Sequence, residues 1–393
     1  VNSIQSGRIY LDYAATTPLR REAADAMCQA LGRPSYNPSS LHAEGREARR
    51  LLDDARDRVA RALGAARKEI TFTGSGTEAD NLAVTGGVRA AGRKGHVVAT
   101  AIEHHAVLHA LDALAGEGYE ITLVAVDSNG IVDPASFAAA IRDDTILASV
   151  MYANNEIGTI EPIAELAAIA RGRGVLFHTD AIQAPGWLPV SVKELGIDLM
   201  SISAHKFFGP RGAGVLYVRD GVPVSPIVHG GGQEFGRRSG TENLAAITGM
   251  VTALELAVAE RPAKGKAVAA LRDRLESGIR AVVGGVSVNG AGAARLPHVS
   301  SVTFKGVESD ALLMRLDLAG IAVSSGSACT SGALVASHVI EALGTQSGRR
   351  AGVLRFSLSG ETTAGEIDRV LDVLPGIVGE LRERAMPLEG KQA

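Results

Sequence analysis

The sequence predicts an α/β fold: a seven-stranded, mostly parallel sheet joined to a smaller α+β unit. Three observations carry this. Short β-prone runs recur from residue 69 to 219. Most of the gaps between them hold amphipathic helical patterns. After a polar stretch at 261–267 a second set of strands begins. Strands linked through helices run parallel and keep the helices on the faces of the sheet.

The seven runs are EITFT (69–73), HVVAT (96–100), ITLVAV (121–126), TILASVMYA (145–153), VLFHTD (175–180), LMSIS (199–203) and GVLYVR (214–219). β-Branched and aromatic residues dominate them, and turn formers bound them. TEADNLAVTGGVRAAG, AVLHALDALAGEG, DPASFAAAIRD and PIAELAAIARGRG supply the intervening helices. The last two strands lie too close for a helical crossover, which allows an antiparallel pair. GTENLAAITGMVTALELAVAE then leads through RPAKGKA (261–267) to a second long helix and three further strands, VSSVTFKG (299–306), IAVSSG (321–326) and VLRFSLSG (353–360). The implied division is an N-terminal segment 1–20 packing with the smaller unit, a large domain 21–260 and a small domain 261–393.

The chain's 393 residues are 46% hydrophobic and carry 40 Lys and Arg against 43 Asp and Glu, so each unit can bury a core of its own. A net charge of −3 gives no case for nucleic-acid or membrane binding. No apolar run reaches the roughly 18 residues of a spanning helix, and VNSIQSGRIY lacks a signal-peptide pattern, so a cytosolic location is the default expectation. The basic residues of 43–69 alternate with acidic ones at helical spacing, as on a solvated helix face. Of the two cysteines, Cys28 sits in a helical pattern and reads as a buried, inert thiol. Cys329 sits in SSGSACTSG (324–332), among small residues that suit a mobile nucleophile better than a core. Helical spacing in TSGALVASHVIEAL puts this thiol near a helix N-terminus, where the dipole favours thiolate.

Ligands of open α/β sheets collect at the carboxyl ends of the strands. LFHTDAIQAPG puts Asp180 and Gln183 at one such end, and SISAHKFFGP puts Ser203, His205 and Lys206 at the next. Taken alone, Asp180 reads as a cap and Lys206 as a surface residue. Together they form the pattern that pyridoxal phosphate needs: a lysine for the Schiff base and an acid for the pyridinium nitrogen. TFTGSGTEADNLAV runs from strand to helix through Gly76 and Thr77, and the free N–H groups of that turn suit a phosphate. His104 follows HVVATAI, placed to lie over a planar cofactor and exchange protons with it. His105 and His109 have metal-ligand spacing, but no third ligand supports them. Asn154 and Asn155 in MYANNEIGTI read either as a turn or as donors to a ring oxygen or substrate.

Ten ordered motifs give the chain a wider resemblance. YLDYAATTP (10–18), NPSSLH (37–42), GTEADN (76–81), EHHAV (103–107), NNEIG (154–158), DAIQ (180–183), SAHKFFGP (203–210), RRSGT (237–241), SSGSACTSG (324–332) and LRFSL (354–358) together resemble the pyridoxal-phosphate-dependent cysteine desulfurases of the NifS/IscS type. The resemblance implies a fold-type I, aspartate-aminotransferase-like architecture and a homodimer. It also implies conversion of L-cysteine to L-alanine, with the sulfur kept as an enzyme persulfide for an acceptor such as an iron–sulfur scaffold. Carried onto this chain, it makes Lys206 the Schiff-base lysine and proton carrier, Asp180 the partner of the pyridine nitrogen, and His104 the ring-stacking group. Gln183 and Asn155 fall on the ring-oxygen side. Gly76, Thr77, Ser203 and His205 hold the phosphate, and Thr241 reaches the phosphate of the other subunit. Arg355 pairs with the substrate carboxylate, helped by Asn37, and Cys329 accepts the sulfur. Where many members read Ser-Leu-Glu-Pro-Ser-His after the cysteine, this chain has ALVASH (333–338). A selenocysteine lyase or another fold-type I aminotransferase is the nearest alternative. A non-catalytic adaptor on the same fold would lack the yellow lysine adduct.

Overall fold

The computed structural model describes residues 7–32, 36–325, 337–344 and 351–385. In chain order its strands are β1 (Ile9–Tyr10), β2 (Ile70–Thr73), β3 (His96–Thr100), β4 (Glu120–Val124), β5 (Thr145–Ser149), β6 (Leu176–Asp180), β7 (Leu199–Ser203), β8 (Gly214–Val218), β9 (Val286–Val288), β10 (Val299–Lys305), β11 (Ile321–Ala322) and β12 (Ala351–Ser357). β2 to β8 form one sheet in the order β2-β8-β7-β6-β5-β3-β4. The strands from β3 to β7 pair in parallel, while β8 runs antiparallel to both β7 and β2. The short link from Ser203 to Gly214 cannot hold a crossover helix, so β8 has to return antiparallel. The chain moves outward from β3 to β4, then back across to β5. That reversal leaves a crevice at the carboxyl ends of β3 and β5.

The helix Ala43–Leu63 starts at His42, whose ring accepts the N–H of Gly45, and ends at Gly64 in the left-handed conformation (φ 69°). It buries Arg56, whose Nη1 and Nη2 each donate to Glu234 at 2.6 Å while Nη1 also donates to the Ile70 carbonyl at 2.6 Å. Glu234 in turn accepts the N–H of Phe72 at 2.8 Å. This cluster holds Glu234 (φ 50°) and Phe235 (φ 60°) in a backbone region that costs a side-chain-bearing residue roughly 1–2 kcal/mol. Removing one partner leaves the other buried and charged. Glu234→Ala is therefore expected to destabilise the protein by about 3–5 kcal/mol, read as a lower midpoint in denaturant unfolding.

The second core lies around a three-stranded antiparallel sheet, β12-β10-β9. Ile9 and Leu11 from the chain's start pack there with Val302, Phe304, Leu354 and Phe356. β1 pairs in parallel with β11, Ile9 opposite Ile321.

Four findings depart from the sequence reading. The polar stretch 261–267 does not break the helix: one helix, Leu244–Val282, runs through it for 39 residues with Pro262 inside. A mid-helix proline costs about 3 kcal/mol. Burial of Ala257 on one side and Val268 on the other, each in a different core, offsets this. The same turn is tethered from outside. Arg261 donates to the Leu188 carbonyl at 2.9 Å, and the Lys264 ammonium sits 4.7 Å from the Trp187 ring and 4.5 Å from that of Phe208. Second, among the described residues 321–325 only Ile321–Ala322 is strand; it pairs with β1, and the run meets the second sheet through a single antiparallel bridge from Ser324 to Arg355. Third, that sheet's remaining strand is β9, whose three residues, none of them buried, offer little pattern. Fourth, Cys28 is exposed, not buried. Its helix, Arg21–Gly32, turns Ala23 and Met27 toward Gly249, where an added Cβ would stand 2.5 Å from Met27 Cγ. Cys28 lies about 100° around from Met27 and off that face.

Candidate functional site

A cavity of about 270 Å³ opens at the carboxyl ends of the parallel strands. Gly76, Thr77, His104, Asn155, Asp180, Gln183, Ser203, His205, Lys206 and Arg355 all line it. Asn37 and Thr241 do not; both are exposed, and Asn37 accepts the N–H of Ser39 at 2.9 Å. Cys329 lies outside the described residues. The described part of its downstream segment is helical only over His338–Ala342, with Ser337 as the cap.

Each lining residue is placed by its local structure. β2 ends at Thr73, and Ser75 caps the next helix by accepting the N–H of Glu78 at 3.1 Å. Gly76 is closely packed here: a Cβ would stand 2.4 Å from Ile182 Cδ1 and 3.0 Å from Ser203 Cβ. Glu78 ties the turn together, accepting from the Gly74 N–H at 2.8 Å and from Arg238 Nε at 2.7 Å. Asp180 ends β6 and accepts the Ile182 N–H at 2.8 Å. Burial pushes its carboxyl up to about 6, against that hydrogen bond and the charge of Lys206.

Lys206 follows β7 on a single 3₁₀ turn, and its Nζ donates to the carbonyls of Ala14 at 2.7 Å and Ala15 at 2.8 Å. Gln183 Nε2 also donates to the Ala14 carbonyl, at 2.9 Å. The segment YLDYAATTP is therefore a wall of the cavity. His104 caps the helix His105–Gly116 by accepting the Ala106 N–H on Nδ1, which puts the proton of the neutral ring on Nε2. Burial, then the charge of Lys206, lowers it to about 4. His205 is lowered to about 4 by the same two causes and lies 3.2 Å from Thr16 Oγ1. Both rings are neutral at pH 7.

Of the two asparagines, Asn154 is the turn former. It is buried, its Oδ1 accepts the N–H groups of Glu156 and Ile157, and its Nδ2 donates to the Ile102 carbonyl. Arg355 comes from β12 in the second sheet, donating through Nη1 to the Asn155 carbonyl at 2.9 Å and through Nη2 to Asp12 at 2.7 Å. Its buried Nε makes no hydrogen bond among the described residues. The ring of His105 lies 5.0 Å from that of His109 and 4.7 Å from that of His338, yet no three ligands among the described residues are arranged for a metal ion.

Several groups that shape this site escaped the sequence reading. Asp12 lies within YLDYAATTP, and its partner Arg355 stands 343 residues away. Glu103 is buried beside His104; its Oε1 accepts from Thr100 Oγ1 at 2.6 Å and from the Met151 N–H at 2.8 Å, and burial pushes its carboxyl up to about 8. His338 donates to the Glu103 carbonyl at 2.9 Å, and Ser337 donates to Glu156 at 2.6 Å. Its position at the end of ALVASH was the one available signal for His338.

The donor set fits pyridoxal phosphate: an amine, a buried carboxyl at the other end, and a turn of N–H groups cleared of any Cβ. The model of the aminotransferase class-V family matches residues 9–370. A cysteine desulfurase IscS of Dictyoglomus turgidum is 47% identical over 375 residues, covering 95% of each chain. Among solved structures, a NifS-like protein superposes with a TM-score of 0.88 at 36% identity, over 95% of this chain and all of that one. SspA in complex with cysteine does so with a TM-score of 0.79 at 33% identity, over 90% of this chain and all of that one. No described helix is long and apolar enough to cross a membrane.

Proposed function

The chain belongs to the class-V aminotransferase family and is a pyridoxal-phosphate-dependent cysteine desulfurase, and from that premise we propose the part each residue plays. One observation carries the assignment: Lys206, Asp180 and the Gly76–Thr77 turn open on a single cavity. Bound there, the cofactor supplies an electron sink for the substrate's α-carbon. Lys206 holds it covalently and then moves the Cα proton. Asp180 would keep a proton on the ring nitrogen, Gln183 and Asn155 would serve the ring oxygen, and His104 would stack on the ring. Ser203, His205 and the N–H groups of Gly76 and Thr77 hold the phosphate.

Arg355 receives the substrate carboxylate, with Asn37 helping to seat the amino acid. Cys329 attacks the substrate sulfur as the thiolate, the Cβ–S bond breaks, and the sulfur stays on Cys329 as a persulfide while L-alanine leaves. The working unit is a homodimer in which Thr241 reaches the partner's phosphate. The persulfide passes to an acceptor protein, such as an iron–sulfur scaffold. The division at residues 20 and 260 belongs to the same reading, because Asp12 and Arg355 work as one pair from the two ends of the chain.

The direct test is to supply purified protein with pyridoxal phosphate and L-cysteine and measure alanine and protein-bound persulfide in equal amounts. Arg355→Lys keeps the charge but loses the fork. One charge-assisted hydrogen bond is worth about 1.5–3 kcal/mol, so KM for L-cysteine is expected to rise roughly 10–100-fold with kcat less affected. An unchanged KM would remove Arg355 from the carboxylate site.

A further inference from the structure

A second carboxyl, Asp80, lies behind Asp180 and outside the cavity lining. Asp80 is fully buried, and neither of its oxygens makes a hydrogen bond among the described residues. Its nearest charged or chargeable partner is His178, whose Nε2 stands 3.7 Å from Asp80 Oδ1. His178 is also fully buried and sits between two hydroxyls, Ser149 Oγ at 2.9 Å from Nδ1 and Ser201 Oγ at 3.0 Å from Nε2. His178 and Asp180 are two residues apart on β6, so both point to the same face of the sheet. Asp80 comes down onto that face from the helix Gly76–Asn81, one turn beyond Thr77.

An isolated buried charge is too costly to persist unpaired. At 3.7 Å, Asp80 and His178 must therefore be either both charged or both neutral. Burial raises the Asp80 carboxyl, and the charges of Asp180 and Glu103 raise it further, against the pull of the nearby Ser201 hydroxyl. Burial also lowers His178, to about 3. Both effects favour the neutral pair. The two hydroxyls satisfy a neutral imidazole in full, one accepting from its N–H and the other donating to its bare nitrogen.

We propose that Asp80 and His178 act as a positioning pair for Asp180, holding this end of the cavity to one carboxylate charge instead of two where the cofactor's ring nitrogen binds. This rests on the assignment of Asp180 to that nitrogen. Asp80→Asn keeps a neutral group of the same shape. It is expected to leave the pH midpoint of the cofactor's visible absorption within roughly 0.3 pH unit of the parent protein. Asp80→Leu removes the polar group. It is expected to move that midpoint by about one pH unit and to weaken pyridoxal phosphate binding on the order of 10-fold, with the cofactor-free protein still folded by circular dichroism.

Independently of the cofactor, nitrogen NMR of His178 in cofactor-free protein is expected to show a neutral ring throughout about pH 5.5–8. A protonated His178 in that range, or an Asp80→Asn midpoint displaced as far as that of Asp80→Leu, would mean a charged pair and overturn the proposal. So would an Asp80→Leu protein with unchanged midpoint and affinity. If the parent protein bound no pyridoxal phosphate, the reading of the site would fail, while the NMR measurement would still decide the state of the pair.

Discussion

Lys206→Ala is expected to yield a folded protein that has lost cysteine desulfurase activity by about 10⁴-fold or more and that releases pyridoxal phosphate on gel filtration. The rate loss follows from chemistry, since general acid–base transfer alone contributes about 10²–10⁴-fold and this residue also supplies the covalent link. Folding survives because the ammonium's hydrogen bonds to the carbonyls of Ala14 and Ala15 lie in a cavity that water can enter. Gln183 still donates to the Ala14 carbonyl, and leaving the Ala15 carbonyl unpaired costs roughly 1–3 kcal/mol at most, which entering water reduces. The spectrum separates the two losses. The parent protein should be yellow and stay so after desalting, while the variant should be colourless. A variant that keeps both colour and turnover would show that another amine holds the cofactor.

Cys329→Ser carries the second large effect. At neutral pH a cysteine is a few per cent thiolate and strongly nucleophilic, whereas a serine hydroxyl is not ionised at all. The variant is expected to bind pyridoxal phosphate with the parent's spectrum and to bind L-cysteine. It should form no protein persulfide, and alanine formation should fall to the level that added free thiol supports. Labelled cysteine followed by mass analysis of the intact protein reads this directly. The parent should gain the mass of one sulfur and the variant none. Undiminished alanine formation by Cys329→Ser would exclude this cysteine as the acceptor.

The large sheet was legible because its strands, the edge strand β4 apart, are buried on both faces. Runs such as HVVAT and LMSIS carry enough β-branched and apolar residues to stand out, and the turn formers between them mark the ends where ligands bind. The catalytic pattern followed, since Asp180 and Lys206 sit at the ends of adjacent strands. What stayed hidden was set by long-range packing. The pairing of Asp12 with Arg355 has no local signature, nor does the burial of Asp80 against His178. Pro262, Lys264, Gly265 and Lys266 have the composition of a linker, and only the burial of both flanks keeps that stretch helical. Helical spacing placed Cys28 in a helix without saying which face would be covered.

The second core has a consequence for synthesis. Ile9 and Leu11 leave the ribosome early, and the strand that pairs with β1 is made about 310 residues after them. At about 5–20 residues per second these apolar side chains wait roughly 15–60 s for their place, while the large sheet forms ahead of them. The start of YLDYAATTP is thus an unsatisfied end through most of translation. The Ala14 and Ala15 carbonyls that meet Lys206 belong to the same segment, so the active site is expected to be among the last parts of the chain to assemble.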